Sequence, residues 1–139
     1  MEVAMRIPAL LVIASAIGSC TTAPQAPVQL SAREQAELAQ LTDGKVAGKP
    51  ISCLQHYQTD DMITVNESTI AFRNGRSTVY LNGMQGGCPN LRAPYALLTK
   101  SPSSQLCRGD IAEVVDTSTH MTVGSCVFGD FVPYTKVAS

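Results

Sequence analysis

The chain has 139 residues, with ten basic and eleven acidic side chains and a formal net charge of −1 at pH 7. These charges are spread without runs, which argues against a nucleic-acid partner and against a polybasic membrane-binding surface. Hydrophobic residues make up 45% of the sequence, and a chain of this length is enough for one domain with one core.

Residues 1–19 have the layout of a secretory signal peptide. Arg6 lies close to the start, and the uncharged apolar stretch Ala9–Ile17 follows it. This stretch is too short to span a bilayer comfortably as a permanent anchor, so we expect cleavage rather than retention. Glu2 is out of place in a region that is normally positive, which favours Met5 as the initiator.

The four residues Ile17-Gly18-Ser19-Cys20 resemble the lipobox of bacterial lipoproteins. In that motif an aliphatic residue and two small ones precede a cysteine that is acylated and becomes the mature N-terminus. The resemblance implies acyl chains such as palmitate on Cys20, a membrane anchor and a place on the periplasmic side of the cell envelope. The alternative is a cysteine buried at a helix end, but the polar segment Thr21–Pro24 gives it no core to join. Thr21 is not the aspartate that commonly marks inner-membrane retention, so we expect the outer membrane.

Cleavage before Cys20 leaves a mature chain of about 120 residues, still enough for one core. Its first part, residues 20–30, is rich in proline, threonine, glutamine and alanine and carries no charge. This composition is typical of an extended tether. We therefore expect a lipid-bearing linker that holds the domain off the membrane.

A short helix is predicted next, within residues 31–44. Ser31 is followed three residues later by Glu34, a pattern that satisfies two free backbone N–H groups at a helix start. Small apolar residues recur on one face, and Gly44 supplies a C-terminal stop. The pattern predicts a helix over 32–42 that packs against the domain.

After Pro50 the pattern changes to strands, in short segments rich in β-branched and aromatic residues. Asn74-Gly75 is a strong signal for a two-residue hairpin turn, and residues 82–94 form a loop rich in glycine and proline. Strands are expected at 51–57, 61–65, 69–73, 76–81, 95–99, near 106, and at 111–115, 121–127 and 131–134. Residues 45–139 are therefore predicted to form a mainly β domain, a small disulfide-stapled antiparallel barrel or sandwich preceded by one short helix.

Four cysteines remain once Cys20 is assigned to the anchor. None of Cys53, Cys88, Cys107 and Cys126 lies in a C-x-x-C or Cys-His pair, so the local spacing of a zinc site is missing. An even number of cysteines in an exported domain predicts two disulfides. Three connectivities fit, and we favour Cys53–Cys126, joining the first and last strands, together with Cys88–Cys107.

The residues around these cysteines form short motifs. Residues 47–54 read A-G-x-P-x-x-C-L, Cys88 is followed by proline and then by Leu91, and Cys126 opens the pattern C-x-x-G-x-F-x-P. This four-cysteine frame resembles a family of short bacterial lipoproteins of unknown function. The resemblance spans residues 47–133, about two-thirds of the chain. It implies a secreted β-rich domain and supplies no activity, cofactor or catalytic residue.

His56 and His120 are the two histidines of the chain, and both are expected in a strand or at a strand edge. No G-x-S-x-G, H-E-x-x-H or S-x-x-K motif accompanies them. Asp110 is interpreted as a structural carboxylate that accepts backbone N–H groups at a bend. An alternative is a hydrolase in which one histidine converges with Asp110 in a cleft.

The long loop is the favoured place for function, because rigid β scaffolds commonly present function on loops. Met84, Leu91, Arg92 and Tyr95 are its candidate interaction residues. The spacing of Met84, Leu91, Pro94 and Tyr95 does not decide between an exposed apolar patch and a cover for the core. The sequence thus favours a lipid-anchored periplasmic binding module with an envelope protein as partner, and it points to no enzymatic activity and no cofactor.

Overall fold

A computed structural model describes residues 29–137 of the chain. The predicted signal peptide and Cys20 lie outside the described residues. The helix α1 spans Ala32–Thr42, and a short 3-10 helix spans His56–Gln58. The strands are β1 (Lys45–Ala47), β2 (Cys53–Gln55), β3 (Met62–Asn66), β4 (Thr69–Asn74), β5 (Thr78–Gly83), β6 (Tyr95–Thr99), β7 (Gln105–Cys107), β8 (Ile111–Asp116), β9 (Thr122–Val127) and β10 (Phe131–Lys136). In this part of the chain no helix has the length and apolar character needed to cross a membrane.

The strands form three antiparallel sheets, which confirms the predicted mainly β class. The largest sheet has the order β1-β10-β5-β4-β3, so the first and last strands lie side by side. The second sheet has the order β6-β8-β9, and the third pairs β2 with β7. Isolated bridges, Ile51 to Phe131 and Gln85 to Val127, tie the sheets together. The result is a sandwich-like domain.

The core lies between the five-stranded sheet and the two smaller sheets. Alternate residues of the large sheet, such as Phe72 and Phe131, face the smaller sheets and are buried against residues such as Leu106 and Val114. The ring centroids of Phe72 and Phe131 are 5.9 Å apart, and Phe128 lies 6.2 Å from Phe72. These are favourable separations for aromatic pairs. Three phenylalanines thus form the centre of a core that has no tryptophan.

The opposite face of the five-stranded sheet carries α1, with the bounds that the sequence predicts. Leu38 and Leu41 of the helix pack on Val65, Ala71 and Val79, which point away from the main core. No residue of α1 is fully buried. The helix is therefore attached through a narrow apolar contact, and most of its surface is left for other interactions.

The four cysteines form two disulfides, as predicted, but the favoured pairing is wrong. Cys53 is bonded to Cys107, and Cys88 is bonded to Cys126. The prediction assumed that the strand of Cys53 meets the last strands of the domain. The last strand, β10, pairs instead with β1, which has no cysteine, and Cys126 lies in β9 beside β8. Cys53 lies directly opposite Cys107 in the β2–β7 ladder.

The β4–β5 hairpin is present at the predicted place with a different loop. Asn74 pairs with Thr78, so the loop has the three residues 75–77 instead of two. Gly75 has a φ of +63°, a backbone conformation that a glycine adopts without steric cost. The prediction missed β1, which lies between Gly44 and Gly48 and is only three residues long.

Candidate functional site

The candidate loop residues separate into two buried anchors and two surface residues. Met84 is 6% exposed and Leu91 is 3% exposed, and both belong to the main core. The hypothesis that they form an exposed apolar patch is therefore wrong, because both cover the core. Arg92 is exposed, and Tyr95 is half-buried with part of its ring against the core. Arg92 and Tyr95 are the candidates that a partner can reach.

The loop is fixed to the rest of the domain along its length. The Met84 N–H donates to the Ser68 carbonyl oxygen at 2.8 Å, and the Gln85 N–H donates to that of Val127 at 2.9 Å. Asn90 has a φ of +66° and donates from Nδ2 to the Val123 carbonyl oxygen at 2.9 Å. Together with the disulfide at Cys88, these bonds give Arg92 and Tyr95 a rigid support.

Arg92 and Tyr95 line a cleft of about 1010 Å³, which we call the α1 cleft. Its other walls are the first turns of α1 and the turn between β3 and β4. Polar and charged side chains make up most of its lining, among them Arg33, Glu34, Glu37, Asn66 and Glu67. The three walls are distant in the sequence. They meet because Leu38 and Leu41 attach the helix to this face of the sheet.

An ion pair at the surface joins two walls of the α1 cleft, the long loop and the turn between β3 and β4. Arg92 Nη1 lies 3.5 Å from Glu67 Oε1, and both side chains are about half exposed or more. An exposed pair at this distance contributes at most about 1 kcal/mol to stability. The pair therefore holds Arg92 only weakly.

Glu34 fixes the start of α1 at the cleft. Its Oε2 accepts the Ser31 backbone N–H at 2.6 Å, and the Ser31 hydroxyl accepts the Glu34 N–H at 3.3 Å. Two hydrogen bonds with Ser31 hold the pKa of Glu34 below its ordinary value of 4.5. The bond from the backbone N–H has the larger effect and the bond with the hydroxyl the smaller one. Because folding lowers this pKa, the contribution of Glu34 to stability is complete above pH 4.5 and is lost as the pH falls through the lower folded pKa.

Ser31→Ala is expected to lower the free energy of unfolding by about 1 kcal/mol, because α1 loses its N-cap acceptor. The pKa of Glu34 is expected to rise in this variant and to stay below 4.5, since the backbone N–H of residue 31 still donates to the carboxylate. An NMR titration of the Glu34 carboxyl, combined with urea unfolding, measures both effects. An unchanged Glu34 pKa would contradict this account of the cap.

Asp110 lies at the bend after β7, as the sequence predicts. Its Oδ2 accepts the Cys107 N–H at 2.8 Å and the Ser101 hydroxyl at 3.2 Å. These bonds confirm the structural role of the carboxylate. His56 is exposed, and its Nε2 lies 3.2 Å from the Ser103 carbonyl oxygen.

His120 is exposed in the turn between β8 and β9, where its φ is +58°. Asp116 organises this turn by accepting the Ser118 hydroxyl and the N–H groups of Ser118 and Thr119. These bonds hold the pKa of Asp116 below its ordinary value, and the bond from the Ser118 hydroxyl has the largest effect. Among the described residues no hydrogen bond joins either histidine to Asp110, so the hydrolase alternative gains no support from these contacts.

The part of the chain that the structure describes contains no cluster of three or more histidine, cysteine and acidic residues that could hold a metal ion. No family model matches the chain, and neither a curated protein nor a solved structure matches it significantly. The resemblance of its four-cysteine frame to short bacterial lipoproteins therefore stays a prediction.

Proposed function

We propose that this chain is a lipid-anchored protein of the bacterial cell envelope whose β domain binds a partner protein through the α1 cleft. The observation that carries the proposal is the placement of Arg92 and Tyr95. Both line a large polar cleft, and the loop that presents them is held by buried anchors and a disulfide. A rigid support of this kind keeps the ordering cost of binding low.

The chemistry of the cleft favours a protein over a small molecule. Pockets for small molecules are mostly apolar with a few polar groups, whereas the α1 cleft has mainly polar and charged walls. Arginine and tyrosine are the residue types enriched where protein interfaces carry most of their binding energy. The side chains that line the α1 cleft carry both signs of charge. We therefore expect a polar partner surface that presents an acidic group to Arg92.

The position of the cleft supports a partner near the membrane. Gln29 and Ser31 line it, so the cleft lies where the domain begins. Gln29 lies nine positions after Cys20, the predicted acylated residue. A fully extended segment of that length spans at most about 30 Å. An acylated Cys20 would therefore keep the cleft within that distance of the membrane surface.

Charge reversal at Arg92 tests the proposal. After crosslinking in intact cells, the amount of partner captured is expected to fall at least about tenfold with Arg92→Glu, because an arginine that acts as a binding hot spot contributes about 2 kcal/mol or more. Capture followed by quantitative mass spectrometry measures the loss.

Arg108→Glu is the matched control. Arg108 lies 3.3 Å from Asp130 in a comparable exposed ion pair, and it is not part of the α1 cleft. The two reversals change the net charge equally and each removes one surface pair. A partner lost equally with both variants, or retained with Arg92→Glu, would exclude the α1 cleft as its binding site.

A further inference from the structure

A second cleft, of about 710 Å³, lies beside the C-terminal half of α1, and we call it the basic cleft. Four cations line it, and Glu37 is the one acidic residue of its lining; the cations are Lys45, Arg73, Arg76 and Lys136. They come from three separate segments of a chain whose formal net charge is −1. The local excess of positive charge therefore results from the fold and not from the composition.

Two of these cations face each other across a strand pair. Lys45 of β1 is the direct antiparallel partner of Lys136 of β10. Like charges at directly opposite positions destabilise a sheet. A lysine pair at this position therefore costs stability in the isolated domain, and a bound anion would remove that cost.

The protein itself provides partners for two of these four cations and leaves the other two without an ion pair among the described residues. Arg73 pairs with Asp61, with 2.6 Å between Nε and Oδ2. Lys45 donates to the Leu41 carbonyl oxygen at 2.9 Å, at the C-terminal end of α1. Among the described residues neither Arg76 nor Lys136 forms an ion pair, and both are exposed.

We infer that the basic cleft binds a phosphate-bearing anion, with Arg76 and Lys136 as its main contacts and Lys45 as a further cation. An arginine guanidinium can donate two parallel hydrogen bonds to phosphate oxygens, and a lysine ammonium adds a compact charge. The phosphate can belong to a soluble compound or to a lipid headgroup, and binding in either case relieves the repulsion between the paired lysines.

The test uses the full chain with Cys20→Ser, so that no acyl chain contributes to binding. One arm titrates pyrophosphate by calorimetry, and a second measures binding to phosphatidylcholine vesicles with and without phosphatidylglycerol. Arg76→Gln with Lys136→Gln is expected to weaken binding about 25-fold, since each cation near a phosphate surface contributes about fivefold. Lys49→Gln with Lys100→Gln removes the same charge outside the basic cleft and should change affinity less than about twofold at moderate salt.

Each outcome decides the inference. Pyrophosphate binding that the first pair of substitutions weakens supports a soluble phosphate ligand, and binding only to phosphatidylglycerol vesicles supports a headgroup. Binding in neither arm, or equal weakening by both pairs, overturns the site. Arg76→Gln alone changes only an exposed loop residue and should still weaken binding about fivefold, so a folding defect of the double variant does not obscure the result.

Discussion

Replacing Cys88 and Cys126 together with alanine is expected to lower the free energy of unfolding by about 5 kcal/mol. The disulfide closes a loop with a sequence separation of 38 residues, which the chain-entropy model values at roughly 4 kcal/mol. Both cysteines are also buried in the core, so losing two sulfur atoms from packed positions adds about 1 to 2 kcal/mol. Urea unfolding under oxidising conditions measures the change.

The second disulfide provides the comparison. Replacing Cys53 and Cys107 with alanine removes a bridge of sequence separation 54, so the entropic loss is again roughly 4 kcal/mol. Both of these cysteines are only partly buried, and their strands stay paired through the β2–β7 ladder. We therefore expect a smaller destabilisation than for the Cys88–Cys126 pair. A larger loss of unfolding free energy for the Cys53–Cys107 pair would contradict the assignment of the Cys88–Cys126 bridge to the core.

The second large effect is expected at Asn82, the one fully buried polar residue of the described chain. Its Nδ2 donates to the Gly129 carbonyl oxygen at 2.8 Å, and its Oδ1 accepts the Gly129 N–H at 3.2 Å. Asn82→Ala leaves both backbone groups unpaired in the interior. Because each costs about 1 to 3 kcal/mol, we expect a loss of about 3 kcal/mol in the free energy of unfolding.

The backbone at this point has little room to adjust. A Cβ atom built on Gly129 would overlap the Gly83 carbonyl oxygen, so the two segments pack backbone to backbone. Asn66→Ala is a suitable control, because Asn66 accepts a single hydrogen bond from Ser68 in a less buried turn. Urea unfolding of both variants measures the difference, and a loss at Asn82 no larger than at Asn66 would show that Gly129 finds other partners.

Local signals were sufficient to predict most elements of this fold. The Ser31 and Glu34 cap and the Gly44 stop define α1 within a few residues, and short segments rich in β-branched and aromatic residues locate nine of the ten strands. The exception, Lys45–Ala47, has no such pattern of its own. It is a strand because it pairs with β10, almost 90 residues away in sequence, and no local signal reports such a pairing.

The predicted disulfide pairing and the hypothesis of an exposed apolar patch were wrong because both depend on which elements pack against each other. The strand predicted around Cys53 fits any neighbouring strand, so the sequence could not show that Cys107 lies opposite it. Met84 and Leu91 have the same spacing whether they are exposed or buried. Their burial depends on the loop crossing the core, where Cys88 bonds to Cys126.

The two clefts were beyond sequence analysis for a related reason. Each is bordered by α1 and by strand ends from distant parts of the chain, and the helix is placed by Leu38 and Leu41. Amphipathic spacing predicts that such a helix packs on the domain. It does not say which sheet face receives the helix, and that placement decides which charged residues meet.

Site-specific photocrosslinking in intact cells can determine whether a partner protein occupies the α1 cleft near the membrane surface, as we propose. A photoreactive residue is placed at Arg33, which lines the cleft, or at Ala36, which is exposed on the same helix and lines neither cleft. We expect one protein adduct from position 33, none from position 36, and loss of the adduct with Cys20→Ser. The same adduct from both positions, or its persistence without Cys20, would contradict this proposal.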